Sequence, residues 1–277
     1  MPSGVQVAKV DYKKPETLVE ALGGQEVLII TMSPTAPKET QMALIDAAAK
    51  AKVEYIIPNG WGFDPSHPSS DESFLGPPQR AIQKYIEEVG QSCWIDFVSG
   101  PWYELSLGST ADRFGFDFKE KRVTFFDDGN AKINTSTWEQ TGRAVAQVLA
   151  LDKEVGNGDN KLTLSGLKNQ LLFFSSFLVS QRDMFQSVLR VAGSREEDWD
   201  ITYENSAKRY KEGLDAMKQG ARTGALRAMY SRSFFIEEDG FGSAAFEPSR
   251  GTYNEALGLP VEDLDERTRA AIEMGNN

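Results

Sequence analysis

The side chains able to do chemistry are few. The chain of 277 residues holds one histidine, His67, and one cysteine, Cys93. A lone histidine cannot form a cluster with metal-ligand spacing, so no metal site is expected. A serine–histidine–carboxylate triad would have to use His67, and no G-x-S-x-G turn is present. Cys93 opens an apolar run and is expected to be inert core. His67 lies between Ser66 and Pro68 and is expected to be a solvated loop residue. What remains is a set of small and polar residues placed directly after apolar runs. Thr31 and Ser33 follow 27–30, Pro58 and Asn59 follow 55–57, and Gly100 follows 94–98. Residues of these types bind and orient a small molecule.

The elements that must position them are legible. Val27, Leu28, Ile29 and Ile30, and then Tyr55, Ile56 and Ile57, are short uncharged runs rich in β-branched side chains. Strands covered on both faces have that composition, because a parallel sheet between helix layers has no wet side. Between them Met42, Leu44, Ile45, Ala48 and Ala49 recur at helical spacing, with Pro37 at the start. Strand, crossover helix and strand make a parallel βαβ unit, and ligands of such sheets bind at the carboxyl edge of the strands. The rest of the chain extends the pattern. Residues 5–10 alternate weakly and predict a strand. Ala81, Ile82, Tyr85, Ile86 and Val89 predict the buried face of a helix, with Gln83 on its outer side, and 94–98 a further strand. The segment 63–78, rich in proline, serine and acid, is a loop that leaves the rim. Phe114, Phe116 and Phe118 alternate into 123–126 and 131–134, predicting an antiparallel meander with an aromatic core face. Ser136 and Glu139 match a capping box, and 171–179 predicts one more buried strand. Residues 156–160, GNGDN, are the clearest linker. The division expected is therefore a core at 1–155 and a smaller, mainly helical lobe at 156–277 that faces substrate.

Thirty lysines and arginines against forty-one aspartates and glutamates give a net charge of -11, which disfavours a nucleic-acid partner. No apolar run approaches the roughly 18 residues of a membrane span, and the N-terminus does not resemble a signal peptide. A cytoplasmic protein acting on a small-molecule substrate is expected, with no membrane partner.

No G-x-G-x-x-G turn joins a strand to a helix near the start, and the Tyr-x-x-x-Lys pair of ordinary short-chain dehydrogenases is absent. The segments VQVAKVDYKKPETLVEALGGQEVLI and LIDAAAKAKVEYIIPNGWGFDP nevertheless resemble NmrA-like and isoflavone-reductase-like proteins, atypical short-chain dehydrogenases. GPWYELSL and RVTFFDDGNAKINTSTWEQTGRAVAQVL are similar to the fungal branch. The resemblance covers nearly the whole chain. It implies an α/β fold with a Rossmann-type parallel sheet lacking its first two strands, followed by a smaller C-terminal α+β substrate lobe. Residues 5–10 would correspond to the third strand, leaving either a gap in the sheet or a re-pairing of that strand beside 27–30.

The cofactor implied is NADP or NAD, with Thr31, Ser33, Pro58, Asn59, Gln79 and Gly100 near it and Trp61, Trp102 and Tyr103 walling a substrate pocket. The activity implied is an NAD(P)H-dependent reduction of small aromatic or conjugated compounds. The alternative is a non-catalytic dinucleotide sensor or regulator with a protein partner. In the plant reductases a lysine exchanges protons beside the nicotinamide, and the matching position here is Gln79. An amide cannot perform general acid–base work near neutral pH, so the lost lysine and the lost glycine turn both favour the alternative.

Overall fold

A computed structural model of the chain describes residues 4–33, 36–154 and 161–276. Among them are nine strands: β1 (Val27–Ile29), β2 (Tyr55–Ile57), β3 (Cys93–Val98), β4 (Phe116–Asp117), β5 (Arg122–Phe126), β6 (Ile133–Thr135), β7 (Gln170–Phe173), β8 (Phe177–Val179) and β9 (Asp200–Glu204). The chain forms two compact units. Unit one takes Met1–Gly60, Pro77–Phe97 and Asp152–Leu172; unit two takes Trp61–Gly76, Val98–Leu151 and Phe173–Asn277. The linker expected at 156–160, and with it the division at 155/156, lies outside the described residues.

Unit one is built on a four-stranded sheet in the order β1-β2-β3-β7. β1 and β2 are parallel, with Val27 opposite Tyr55 and Ile29 opposite Ile57, and β2 and β3 are parallel with Ile56 opposite Trp94. Helix Lys38–Ala51 makes the first crossover and ends at Lys52, whose left-handed backbone (φ 63°) lets its N–H reach the Ala48 and Ala49 carbonyls. Helix Gly76–Val89 makes the second. Ile30, Ile45, Ala48, Val53, Ile56, Ile82, Ile86 and Trp94 close over one another as the core. Each large aliphatic buried there contributes about 1.5–3 kcal/mol of transfer free energy, which is what holds β-branched runs in the sheet. Residues 5–10 are not a strand. Val5 and Val7 are 53% and 70% exposed, and of the two outcomes expected for this segment the re-pairing beside β1 does not occur, β1 being the edge of the sheet. The weak alternation is overridden because no described strand lies beside it to complete a ladder.

Unit two carries a three-stranded sheet, β4-β5-β9, and a two-stranded ladder of β6 and β8. β4 and β5 form the expected antiparallel hairpin, but β6 leaves the meander to pair with β8. β5 takes β9 as a parallel neighbour instead, Arg122 opposite Asp200 through Phe126 opposite Glu204. The single strand expected over 171–179 is two, because Ser175 and Ser176 interrupt it. The Ser176 hydroxyl donates to Glu262 and accepts from the Thr137 N–H. The aromatic strip packs inward as expected: Phe114, Phe116, Phe125 and Phe185 are buried, with Phe125 and Phe185 edge to face at 5.6 Å. Helix Trp138–Leu149 is capped by Thr137, which accepts from the Gln140 N–H at 2.9 Å, one residue later than the expected box. Ser180 and Asp183 close a full capping box on helix Gln181–Ala192.

That helix is fastened to helix Leu264–Asn276 by a forked ion pair. Arg190 donates to Asp265 at 2.6 and 2.8 Å and Ser187 adds a third bond at 2.6 Å. The guanidinium holds the Asp265 carboxyl at about 2, below the ordinary 3.8. A carboxylate whose pKa is depressed by folding stabilises fully above its unfolded value, and the gain is lost as pH falls through the folded one. Allowing for screening of a half-exposed arginine, Arg190→Ala should cost about 1 kcal/mol at pH 7. In urea titrations at a series of pH values, the difference from wild type should shrink between pH 4 and pH 2. A difference that persists at pH 2 would exclude the ion pair as its cause.

Among the described residues no helix is long and apolar enough to cross a membrane. No three histidine, cysteine, aspartate or glutamate side chains gather there as metal ligands.

Candidate functional site

The rim of unit one is organised by Asn59. The ladder between β1 and β2 continues through the Ile30 N–H to the Ile57 carbonyl at 2.9 Å. The Asn59 side chain then takes the place of a backbone: its Oδ1 accepts from the Met32 N–H at 3.0 Å and its Nδ2 donates to the Met32 carbonyl at 3.2 Å. One amide thus ties together the turns that follow β1 and β2. Pro58 is buried beneath it, while Thr31 and Ser33 are exposed on the rim.

Gln79 is held by a carboxylate that its neighbours in sequence conceal. Asp96 stands inside the apolar strand β3 and is 1% exposed. Its Oδ2 accepts from Gln79 Nε2 at 2.6 Å and from Gln83 Nε2 at 2.7 Å. The two glutamines are four apart on helix Gly76–Val89, so one face presents both amides to the strand. Gln83, expected on the outer face, is therefore buried at 8% exposure. Gly60 lies against the same group, where a Cβ would come within 2.3 Å of Asp96 Oδ1 and 2.8 Å of Gln79 Nε2. Sequence reasoning missed Asp96 and Gln83. The available signal was an acid in the middle of CWIDFV, which needs donors, and an i, i+4 pair of amides able to supply them.

In unit two, Trp61 adopts a left-handed backbone (φ 50°), an uncommon conformation for a large side chain. The carbonyl of Gly62 next to it accepts from the N–H groups of Ser99 and Gly100, each at 3.0 Å. Gly100 has φ +67°, and a Cβ there would lie 2.3 Å from the carbonyl oxygen of Asn134. Trp102 packs edge to face on Trp138 at 6.4 Å. Among the described residues its buried indole N–H has no hydrogen-bond partner. Tyr103, expected to face substrate, is instead fully buried, T-stacked on Phe177 and bonded through its hydroxyl to Thr268 at 2.6 Å. Burial pushes its phenol well above the usual tyrosine range, and it offers no surface to a ligand. A residue next to a rim tryptophan turns inward here because helix Tyr103–Gly108 begins at it and sends its first side chain to the core.

Unit two also holds a shallow cleft with about 30 Å³ of room for water-sized molecules, lined in part by Phe63, His67, Gly100, Ala245, Phe246 and Arg250. His67 is the N-cap of the short helix Pro68–Glu72, not a solvated loop residue. Its Nδ1 accepts from the Ser69 N–H at 3.2 Å and lies 2.7 Å from Ser69 Oγ. The cap places its ring, and that position is what reasoning from a lone histidine between Ser66 and Pro68 could not supply.

A model of the NmrA-like family matches residues 2–161. An oxidoreductase of Aspergillus flavus is 25% identical over 270 residues, 96% of this chain and 83% of that protein. Among solved structures, an isoflavone reductase aligns over 94% of this chain and 80% of its own with a TM-score of 0.69 at 17% identity. An NADPH-dependent quinone oxidoreductase of Escherichia coli, complexed with NADPH, aligns over 96% and 83% with a TM-score of 0.65 at 18% identity. The structures share the fold, and the sheet of unit one is of their Rossmann type. With more than half its length matched by the family model, the chain belongs to the NmrA-like family.

Proposed function

We propose that this chain is an NAD(P)-binding oxidoreductase of the NmrA-like family, acting in the cytoplasm on small aromatic or conjugated compounds. The observation that carries the reading is the match along nearly all of the chain to an oxidoreductase, together with a fold shared with nicotinamide-dependent enzymes. In this reading residues 1–155 serve the nucleotide and 156–277 the substrate. Thr31, Ser33, Pro58, Asn59 and Gln79 face the cofactor, and Trp61 and Trp102 the substrate.

Among the described residues, the rim glycines Gly60 and Gly100 do not form a cradle for the cofactor's diphosphate. A cradle needs glycines whose bare Cα atoms let the backbone approach phosphate oxygens. Gly60 and Gly100 are bare for another reason: the chain's own Asp96 and Asn134 fill the spaces that a Cβ would take. A second reading is favoured by the Gln79–Asp96 bond, which puts a fixed amide at the lysine position. Under it the chain is a non-catalytic sensor that binds the dinucleotide or a protein partner.

Titration of NADPH and NADH, followed by tryptophan fluorescence and then by nucleotide absorbance after adding a conjugated enone, separates the two. The oxidoreductase predicts saturable binding and consumption. Saturable binding without consumption favours the sensor, and binding of neither nucleotide overturns the oxidoreductase and leaves only the reading with a protein partner.

A further inference from the structure

The sheet of unit one is open at one end, and the chain carries a segment suited to close it. β1 ends the strand order β1-β2-β3-β7. On its inner side the Glu26 carbonyl accepts from the Glu54 and Tyr55 N–H groups and the Ile30 N–H donates to Ile57. By alternation the peptide groups of Val27 and Ile29 face outward, with no ladder partner among the described residues. No proline, lysine or other charge within β1 blunts that edge. The large hydrophobics left exposed among the described residues of unit one are Val5, Val7, Tyr12 and Ile29, all in or before β1. Residues 5–10, VQVAKV, hold three valines and belong to no strand. This arm is not loose, because the turn behind it is pinned. The Lys14 N–H donates to the Asp11 carbonyl at 2.8 Å, the Lys13 N–H to Asp11 Oδ1 at 2.9 Å and the Asp11 N–H to Thr17 Oγ1 at 3.0 Å. Helix Pro15–Leu22 follows, anchored by the buried Leu18 and packed on helix Lys38–Ala51. Bringing the arm to its own β1 would break that turn or lift the helix. Charge also separates the two parts. Residues 5–14 carry three lysines and one aspartate, whereas 15–30 carry Glu16, Glu20 and Glu26 and no basic residue.

We propose that two copies of this chain exchange these arms, residues 5–10 of each adding as a strand to β1 of the other. Strand addition to an open edge draws its affinity from main-chain hydrogen bonds, and here the arm's valines would also cover Ile29. The basic arm meets an acidic approach to β1, which offsets the repulsion between two chains of net charge -11. A reciprocal exchange uses the same surface twice and closes after two copies. Six residues span about 20 Å as a strand. Two exchanged arms would bury on the order of 1,200 Å², enough for a specific interface. The inference goes beyond the oxidoreductase reading, since it requires neither nucleotide nor turnover.

Sedimentation velocity of the whole chain from about 1 to about 100 µM should show the monomer giving way to a species of twice its mass. Val7→Asp puts a charge into the new ladder and should weaken the dimer at least about tenfold. Val7 is 70% exposed in the single chain, so the unfolding midpoint of the dilute variant should not move. Val261→Asp, at a valine 99% exposed in unit two, should leave the dimer unchanged. A carbodiimide joins a lysine to a carboxylate in contact with it. Applied to a mixture of ¹⁴N and ¹⁵N copies of the unaltered chain, it should link Lys9 to Glu20 or Glu26 in pairs of mixed label. Should Val7→Asp unfold the chain, these cross-links still decide. A chain that stays monomeric at the highest concentration, species that grow beyond two copies, a folded Val7→Asp variant that dimerises as before, or no mixed-label link from Lys9 would each overturn the exchange. None of these readings depends on NADPH, so failure here and failure of the oxidoreductase reading are separate results.

Discussion

Gly100→Ala should lower the stability of unit two by on the order of 3 kcal/mol. Two costs add. A non-glycine residue at φ +67° costs about 1 kcal/mol, because its Cβ crowds the neighbouring carbonyl. The new methyl would also sit 2.3 Å from the Asn134 carbonyl oxygen and 2.8 Å from its carbon, and overpacking of that kind costs about 1–3 kcal/mol. Asn134 cannot yield. Its backbone is paired with Leu178 in the β6–β8 ladder, its Oδ1 accepts from the Phe246 and Glu247 N–H groups, and its Nδ2 donates to Glu247 and Ser175. Gly142→Ala is the control: it lies in a helix with nothing within 4 Å of the added carbon, and it should be neutral or stabilising by up to about 1 kcal/mol. Thermal unfolding should place the first variant roughly 6–12 °C below wild type and the second at or above it. Equal midpoints would show that Asn134 moves aside. The comparison bears on function as well, since the turn after β3 then needs its glycine to fold, whatever it binds.

The parts of the fold legible in the sequence were those in which residue type and environment agree. The runs 27–30 and 55–57 carry no charge and pair in parallel as expected, but only the inner strand β2 is buried throughout; β1 is the sheet's edge, where Ile29 is 36% exposed, so the covering of both faces expected for it does not hold. Two of the failures share a cause: a polar residue inside an element is assigned by type to water. Gln83 was placed outside because it is an amide, yet Asp96 across from it makes burial favourable. β9 was not anticipated because DITYE is half polar, although Thr202 meets Thr124 at 2.9 Å and Arg122 meets Asp200 at 2.8 Å along the β5 pairing. Such pairs depend on residues some 80 positions away, which periodicity within a window does not register. The same holds for the site. The placement of Thr31, Ser33, Pro58 and Asn59 after strand ends is legible because strand ends set it, while Asp96 and the cap made by His67 depend on partners that only folding reveals.

Asp96→Leu tests the buried amide–carboxylate cluster, and its cost should exceed that of removing either glutamine. The substitution leaves two amide groups facing an apolar side chain. Gln79 is half-buried and can turn to water, but Gln83 at 8% exposure cannot. A buried donor stranded without an acceptor costs about 1–3 kcal/mol, and bonds to a charged acceptor are stronger than neutral ones, so a loss of roughly 3 kcal/mol is expected. Gln83→Leu alone should cost about 1–2 kcal/mol, because Asp96 keeps the bond from Gln79. The double variant Gln83→Leu/Asp96→Leu should recover part of the loss, since two apolar partners of similar size replace two polar ones without stranding either. A coupling energy of at least about 1 kcal/mol in urea titrations, with the slope unchanged, is the expected signature. Strict additivity would mean that the two side chains do not depend on each other.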